Sequence, residues 1–300
     1  MPVTVPSAPT PPLHGLAGTA APTQADWTIP QQWTAYTAAE HATWRLLFER
    51  QTRLLPGRAC DAFLDGMQQL PLAPDQIPDF EQLSDVLSAR TGWQVVAVPG
   101  LIPDDVFFDH LAHRRFPAGN FIRLPHQLDY LEEPDVFHDI FGHVPMLMNP
   151  VMADFIQAYG EAGARAQQRG CLPQLARVYW YTVEFGLVEQ ADGLRLYGAG
   201  IASSHTESRF CLESPSPHHV RFDLARVMRT RYRIDDFQEI YFVLRDLDEL
   251  LNLAAVDFSP FYDRATRAPE LDPGELLPDD AVRQRGDSSY HRNRVGKAAV

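Results

Sequence analysis

The sequence predicts a single folded unit, mainly α with a few short strands (α+β). Three observations carry this expectation. A chain of 300 residues with 45% hydrophobic content can build a sizeable core, and that length allows one large domain or two small ones. Apolar residues recur at helical spacing along most of the chain, whereas strand-like stretches are short. No Ser/Gly-rich linker, internal repeat or long heptad run divides the middle.

Residues 1–25 carry no charged side chain and are crowded with Pro2, Pro6, Pro9, Pro11, Pro12 and Pro22. They read as a flexible tail ahead of a folded unit spanning 26–268. Thr37-Ala-Ala-Glu40 is a capping box, which satisfies orphan backbone donors at a helix start. Behind it Trp44, Leu47, Phe48, Leu54 and Leu55 share one stripe, and Gly57 stops the run. Phe63, Leu64, Met67 and Leu70 mark a second helix. Phe80, Leu83, Val86 and Leu87 mark a third, ending near Gly92. Trp93 to Val98 reads as a short strand closed by Pro99-Gly100. Asp104 to Arg114 reads as helix, followed by a short extended piece at Phe121–Leu124. Further helices are expected at 134–142, 151–168, 174–188, 222–232 and 246–254, with a strand or turn around Leu194–Gly200. Residues 269–300 mix Pro, Asp, Gly and Arg and are expected to lie loosely on the surface.

With 26 Lys+Arg against 39 Asp+Glu, the net charge is −13. Nucleic acids and anionic membranes both require a cationic face, so neither is expected as a partner. No basic start with an unbroken apolar run marks a secretory signal, and no apolar run approaches the ~20 residues that span a bilayer. Cys60, Cys171 and Cys211 form no C-x-x-C pair and are odd in number, which argues against a disulfide framework or zinc knuckle. A reducing cytoplasm fits best.

Two segments break the ordinary patterning. Glu133-Pro-Asp-Val-Phe-His138-Asp-Ile-Phe-Gly-His143-Val-Pro145 starts a helix, since Pro134 suits a first turn. On an ideal α-helix, histidines five apart diverge by ~140°. Gly142 and Pro145 can end or distort the helix and turn His143 back toward His138. A lone H-x-x-x-x-H is more often a hydrogen-bonded core pair. The second segment, Val178-Tyr-Trp-Tyr-Thr-Val-Glu184-Phe-Gly-Leu-Val188, holds one charge in eleven residues. Every rotation of that helix leaves Glu184 on an apolar face, and an unpaired buried carboxylate costs several kcal/mol. Its partner is either an arginine such as Arg177 or a metal. Two histidines and one carboxylate make the facial triad of a non-haem Fe(II) site, which leaves positions open for O2 and substrate.

These stretches, with Leu54-Leu-Pro-Gly-Arg-Ala-Cys60, Val98-Pro-Gly-Leu-Ile-Pro103 and Tyr197-Gly-Ala-Gly-Ile-Ala-Ser-Ser204, resemble the pterin-dependent aromatic amino-acid hydroxylases, most closely their single-domain bacterial branch. The resemblance runs from about residue 30 to 260. It implies a single catalytic domain in which His138, His143 and Glu184 ligate Fe(II). Arg123 would hold the substrate α-carboxylate, which a guanidinium fork suits. Gly100, Leu101 and Ile102 would hold the tetrahydropterin ring, with Phe107 stacked on it. Trp180 and Phe185 would line the aromatic pocket, and Ser203 would support ligand orientation and amino-acid binding. The implied reaction takes L-phenylalanine, O2 and tetrahydropterin, with one oxygen atom passing to the pterin and the other to the aromatic ring. Tyrosine and tryptophan are the alternative substrates. A monomer is expected, because no heptad tail is present. Animal members usually carry Thr just before Pro-Glu-Pro-Asp, whereas Leu131-Glu132 precedes Glu133 here, so that hydroxyl contact is not carried over.

A rival reading is a 2-oxoglutarate-dependent Fe(II) dioxygenase. His205-Thr-Glu207 matches its H-x-D/E fragment, with His218 and His219 following. That gap is too short, and the strand-rich pattern of a jelly roll is missing. A zinc hydrolase would need a closely placed general base; Asp139 is adjacent but mis-spaced.

Overall fold

The computed structural model describes residues 24–129 and 133–298, with side chains to 294. The expectations for the 1–25 tail and for Leu131 and Glu132 therefore fall almost wholly outside the described residues. The chain begins with α1 (Ala38–Leu54), α2 (Asp61–Gln69) and α3 (Phe80–Thr91). The Thr37 capping box is formed in full: its side chain accepts from Glu40 N, and Glu40 reaches back to Thr37 N. Trp44 and Leu47 face the core as their spacing requires. Gly92, in the left-handed region at φ 77°, ends α3.

A parallel pair follows, β1 (Gln94–Val98), α4 (Asp104–Ala112) and β2 (Arg115–Gly119), with Gln94 opposite Arg115 and Val98 opposite Gly119. This corrects the extended piece expected at 121–124, which is irregular. Pro117 and Gly119 disguise β2 as a loop, yet its only ladder is to β1, and an edge strand tolerates proline. A right-handed βαβ crossover leaves a crevice beyond the carboxyl ends of its strands, where α/β folds bind ligands. Gly100–Ile102 and Gly119 occupy that end.

The expected helix at 134–142 is a π-helical turn, Phe137–His143, running on into α5 (Val144–Leu147). α6 (Pro150–Gln168) packs along α4. The expected helix at 174–188 divides into α7 (Leu172–Tyr179), a second π-helical turn (Trp180–Glu184) and β3 (Leu187–Gln190). β4 (Gly193–Leu196) is the strand expected there, but Ala199–Ala202 is a short helix, α8. α9 (His205–Glu213), β5 (His218–Arg221), α10 (Leu224–Arg229) and β6 (Ile240–Leu244) complete the site-bearing half. α10 is shorter than the expected 222–232 because Asp223 caps it, accepting from Arg226 N. All five residues of β6 are buried, so no polar–apolar alternation announces it.

α11 (Asp248–Ala254), α12 (Ser259–Arg267), β7 (Val282–Gln284) and α13 (Ser289–Ala298) close the chain. The second sheet has the order β4-β3-β6-β5-β7, parallel between β3, β6 and β5 and antiparallel at both edges. The 269–300 segment is thus tied in rather than loose. β7 pairs with β5, Leu271 is buried, and the buried Arg226 fork meets Asp280 at 2.9 Å. Composition hid this because the anchoring residues are a few apolar and charged side chains between prolines. One core cluster joins residues from Trp44 to Ala265, so the fold is a single mainly α unit with strands. No helix among the described residues is long and apolar enough to cross a membrane.

Candidate active site and metal centre

His138 and His143 meet because the segment between them is wound as a π-helix. An i→i+5 hydrogen-bond pattern places residues five apart nearly above one another. Winding, rather than a helix end at Gly142 or Pro145, removes the ~140° divergence of an α-helix. The second π-turn ends on Glu184 and brings its carboxylate to the pair. His143 Nε2 lies 3.2 Å from His138 Nε2 and 3.1 Å from Glu184 Oε1, and His138 Nε2 lies 3.6 Å from Glu184 Oε2. The donor atoms of all three residues fall within 4.8 Å of one another.

Arg177, the other candidate partner for Glu184, is engaged elsewhere. Its Nη2 meets Glu270 Oε1 at 2.5 Å and its Nη1 donates to Met228 O at 2.9 Å.

Ser203, after α8, decides the tautomer of His138. Its hydroxyl donates to Ala199 O at 2.8 Å, so at 3.0 Å from His138 Nδ1 it accepts that N–H. The Nε2 lone pair of His138 then points at the cluster. Burial pushes the His138 imidazole down to about 4, outweighing the Glu184 attraction, so the ring is neutral at pH 7. Two ring nitrogens and a carboxylate aimed at one another need a proton or a cation among them. The nitrogen–oxygen set without thiolate suits a first-row metal ion.

Arg123 is buried, only 8% exposed. Asp135, fully buried, accepts from its Nε and Nη2, both at 2.8 Å, and from its main-chain N at 2.9 Å. Asp135 Oδ1 also accepts from His138 N at 3.0 Å, so one carboxylate ties Arg123 to the histidine turn. The remaining Arg123 donor, Nη1, reaches Leu128 O at 3.4 Å.

A cavity over the cluster is walled by Gly100, Leu101, Ile102, Phe107, Phe116, Tyr179, His138, His143 and Glu184, among others. The four residues expected at the pterin therefore come together with the three expected at the metal. Gly100 has φ 155°, and a Cβ there would stand 2.6 Å from Glu133 Oε1. Only glycine lets that carboxylate close over the loop. Arg123, Trp180, Phe185 and Ser203 do not wall this cavity. Ser203 and Arg123 attach through His138 and Asp135. Phe185 Cζ and Glu184 Oε2 both border the space beside Gly200, 2.9 and 3.0 Å from a Cβ built there. Trp180 lies against Phe185, ring centroids 4.8 Å apart.

Sequence reasoning missed Asp135, Glu133 and Tyr179, and it set Asp139 aside as a mis-spaced base. Asp139 Oδ2 accepts from Gly119 N at 2.7 Å, and burial pushes its carboxyl up to about 7. An acid inside Phe-His-Asp-Ile-Phe carries the same signal that singled out Glu184. The rival fragment leads nowhere. Glu207 accepts from Tyr241 Oη and Gln238 N, His218 Nδ1 accepts from Gly286 N, and His219 Nε2 donates to Cys211 O.

A mainly α fold that presents two histidines and a glutamate to an apolar cavity defines a mononuclear non-haem metalloenzyme architecture. The chain belongs to the biopterin-dependent aromatic amino acid hydroxylase family, whose model matches residues 17–259. It is 58% identical to the phenylalanine-4-hydroxylase of Caulobacter vibrioides over 265 residues, covering 88% of this chain and 90% of that one. To the Chromobacterium violaceum phenylalanine-4-hydroxylase it is 56% identical, covering 87% and 88%. The iron- and phenylalanine-bound crystal structure of the latter superposes with a TM-score of 0.83 at 55% identity, covering 86% of this chain and 94% of that one.

Proposed function

We propose that the protein hydroxylates L-phenylalanine to L-tyrosine with O2, tetrahydropterin and non-haem Fe(II), serving phenylalanine catabolism. The observation that carries this reading is the convergence of His138, His143 and Glu184 beneath the cavity that Gly100–Ile102 and Phe107 wall. His138 and His143 would hold the iron through Nε2, and Glu184 through its carboxylate. When bound, the iron and pterin together supply the two-electron chemistry that divides O2 between pterin and ring.

The chain's own part is positioning. Ser203 keeps His138 in the tautomer that presents Nε2. Asp135 fixes the plane of the Arg123 guanidinium, so that the Nη1 and Nη2 protons turned away from Asp135 meet the substrate α-carboxylate in one orientation. Trp180 and Phe185 flank the aromatic ring beside Glu184, and Phe107 stacks on the pterin. Apolar walls keep bulk water from the reacting atoms.

Tyrosine formation from phenylalanine, dependent on Fe(II) and tetrahydropterin, is the expected result. Turnover that requires 2-oxoglutarate instead would overturn the reading. Ser203→Ala is expected to lower Fe(II) affinity by about 10- to 100-fold, as loss of a ligand-orienting hydrogen bond does. Equilibrium metal titration reads this, and an unchanged affinity would remove Ser203 from the ligand support.

The reading includes a cytoplasmic monomer. Three free, buried cysteines suit a reducing compartment. Among the described residues, the exposed large hydrophobics Leu46, Leu124, Ile234 and Leu251 come from four different segments of the chain.

A further inference from the structure

The loop between α10 and β6 (residues 230–239) carries two groups to Trp180. Tyr232 stacks on the indole, centroids 4.2 Å apart and planes 16° from parallel. Gln238 Oε1 accepts from Trp180 Nε1 at 3.0 Å. Gln238 is only 2% exposed and every polar end of it is used. Its Nε2 donates to Arg233 O at 2.7 Å and faces Asp236 O at 3.5 Å. Its Oε1 also faces Arg233 N at 3.4 Å, and its main-chain N faces Glu207 Oε1 at 3.4 Å. The carbonyls around Nε2 settle the amide orientation, so Oε1 is the end turned to the indole.

Stacking alone leaves an indole free to slide and rotate in its plane, because dispersion between rings is weakly directional. The single N–H of Trp180 removes that freedom when it is held by a buried acceptor that cannot itself move. Trp180 also rests against Phe185, ring centroids 4.8 Å apart, and Phe185 Cζ shares the space beside Gly200 with Glu184 Oε2. The tilt of Trp180 therefore passes directly to the wall nearest the metal cluster.

We propose that Gln238 is a positioning residue that fixes the tilt of Trp180 and thereby sets the width of the aromatic pocket, favouring a phenyl over an indole side chain. This rests on Trp180 lining the substrate pocket. Gln238 touches neither substrate nor cofactor; it acts through Trp180 alone.

The test measures kcat/KM for L-phenylalanine and L-tryptophan, together with thermal midpoints, in the iron-loaded full chain. Gln238→Leu is expected to lower the phenylalanine-to-tryptophan ratio about tenfold, the scale of one lost buried hydrogen bond. Gln238→Glu keeps an acceptor oxygen and, when protonated, a donor for Arg233 O; it should hold the ratio within about twofold of wild type. In a Trp180→Phe background, which has no indole N–H, Gln238→Leu should change the ratio no further, as a double-mutant cycle through one contact requires. If Gln238→Leu does not fold, Gln238→Met takes its place in the cycle.

A lower thermal midpoint with an unchanged ratio would overturn the proposal, since a merely structural loop residue behaves that way. So would an equal loss of selectivity in the Trp180→Phe background. If Trp180→Phe shifts the ratio and Gln238→Leu does not, the positioning role fails while the pocket reading stands. If Trp180→Phe itself leaves the ratio unchanged, both fail.

Discussion

Glu184→Ala is expected to abolish iron-dependent turnover, with a loss of at least about a thousandfold, equivalent to the several kcal/mol that a Lewis-acid centre contributes. Among the described residues Glu184 supplies the one carboxylate of the cluster, beside His138 and His143, whose Nε2 atoms stand 3.2 Å apart. Two imidazoles without the carboxylate leave the facial triad of a ferrous site incomplete. Metal analysis after Fe(II) loading should therefore fall well below one iron per chain. The thermal midpoint of the metal-free chain should change little, because the deletion removes a charge from an apolar wall. Full retained activity would take Glu184 out of the site and with it the proposed chemistry.

Asp135→Ala is expected to cost roughly 3–5 kcal/mol of folding stability, the penalty for leaving a buried cation unpaired. Arg123 is almost fully buried, and Asp135 accepts three of its N–H groups as well as the amide of His138. Urea unfolding of the metal-free chain measures the loss. The double variant Arg123→Ala/Asp135→Ala should be more stable than Asp135→Ala alone, because it removes the uncompensated charge. If the single variant unfolds with the wild-type midpoint, the pair carries no structural weight.

The same pair shapes the acid limb. Burial pushes the Asp135 carboxyl up, but the Arg123 guanidinium and the amides of His138 and Arg123 outweigh it, leaving it below its ordinary value of 3.8. A carboxyl depressed by folding stabilises above its unfolded pKa and loses that contribution as pH falls through the folded one. The pair is accordingly intact at neutral pH and weakens only below about 3.8.

Much of the site was legible because it departs from ordinary patterning. Glu184 stood alone in an apolar run, and a buried carboxylate demands a partner. The capped helix after Thr37 and the strand at 94–98 were legible for the opposite reason, since cap chemistry and apolar spacing are local signals. Arg123 was not legible from its neighbours. Its burial depends on Asp135, twelve residues on, and no local pattern encodes a contact between two loops. β6 was hidden because both its faces are covered, and β7 because its pairing with β5 spans the fold. Gln238 was invisible for the same reason, since only the folded chain brings it to an indole fifty-eight positions earlier.

The two π-turns have a consequence for chain length as well as for side chains. Each contains one residue more than an α-helical path over the same span would need. Removing a residue between His138 and His143 would let the segment wind as an ordinary α-helix. Everything beyond it would then turn by about 100° and move about 1.5 Å relative to what precedes it. Pro145 lies just beyond, and its carbonyl sits against Gly66 of α2 with no room for even a methyl group, 2.1 Å from a Cβ built there. The surplus residue works as a shim. It lets α5 stay seated on α2 while both imidazoles face the same point, so the count of residues in the turn is as much a part of the metal centre as the histidines themselves.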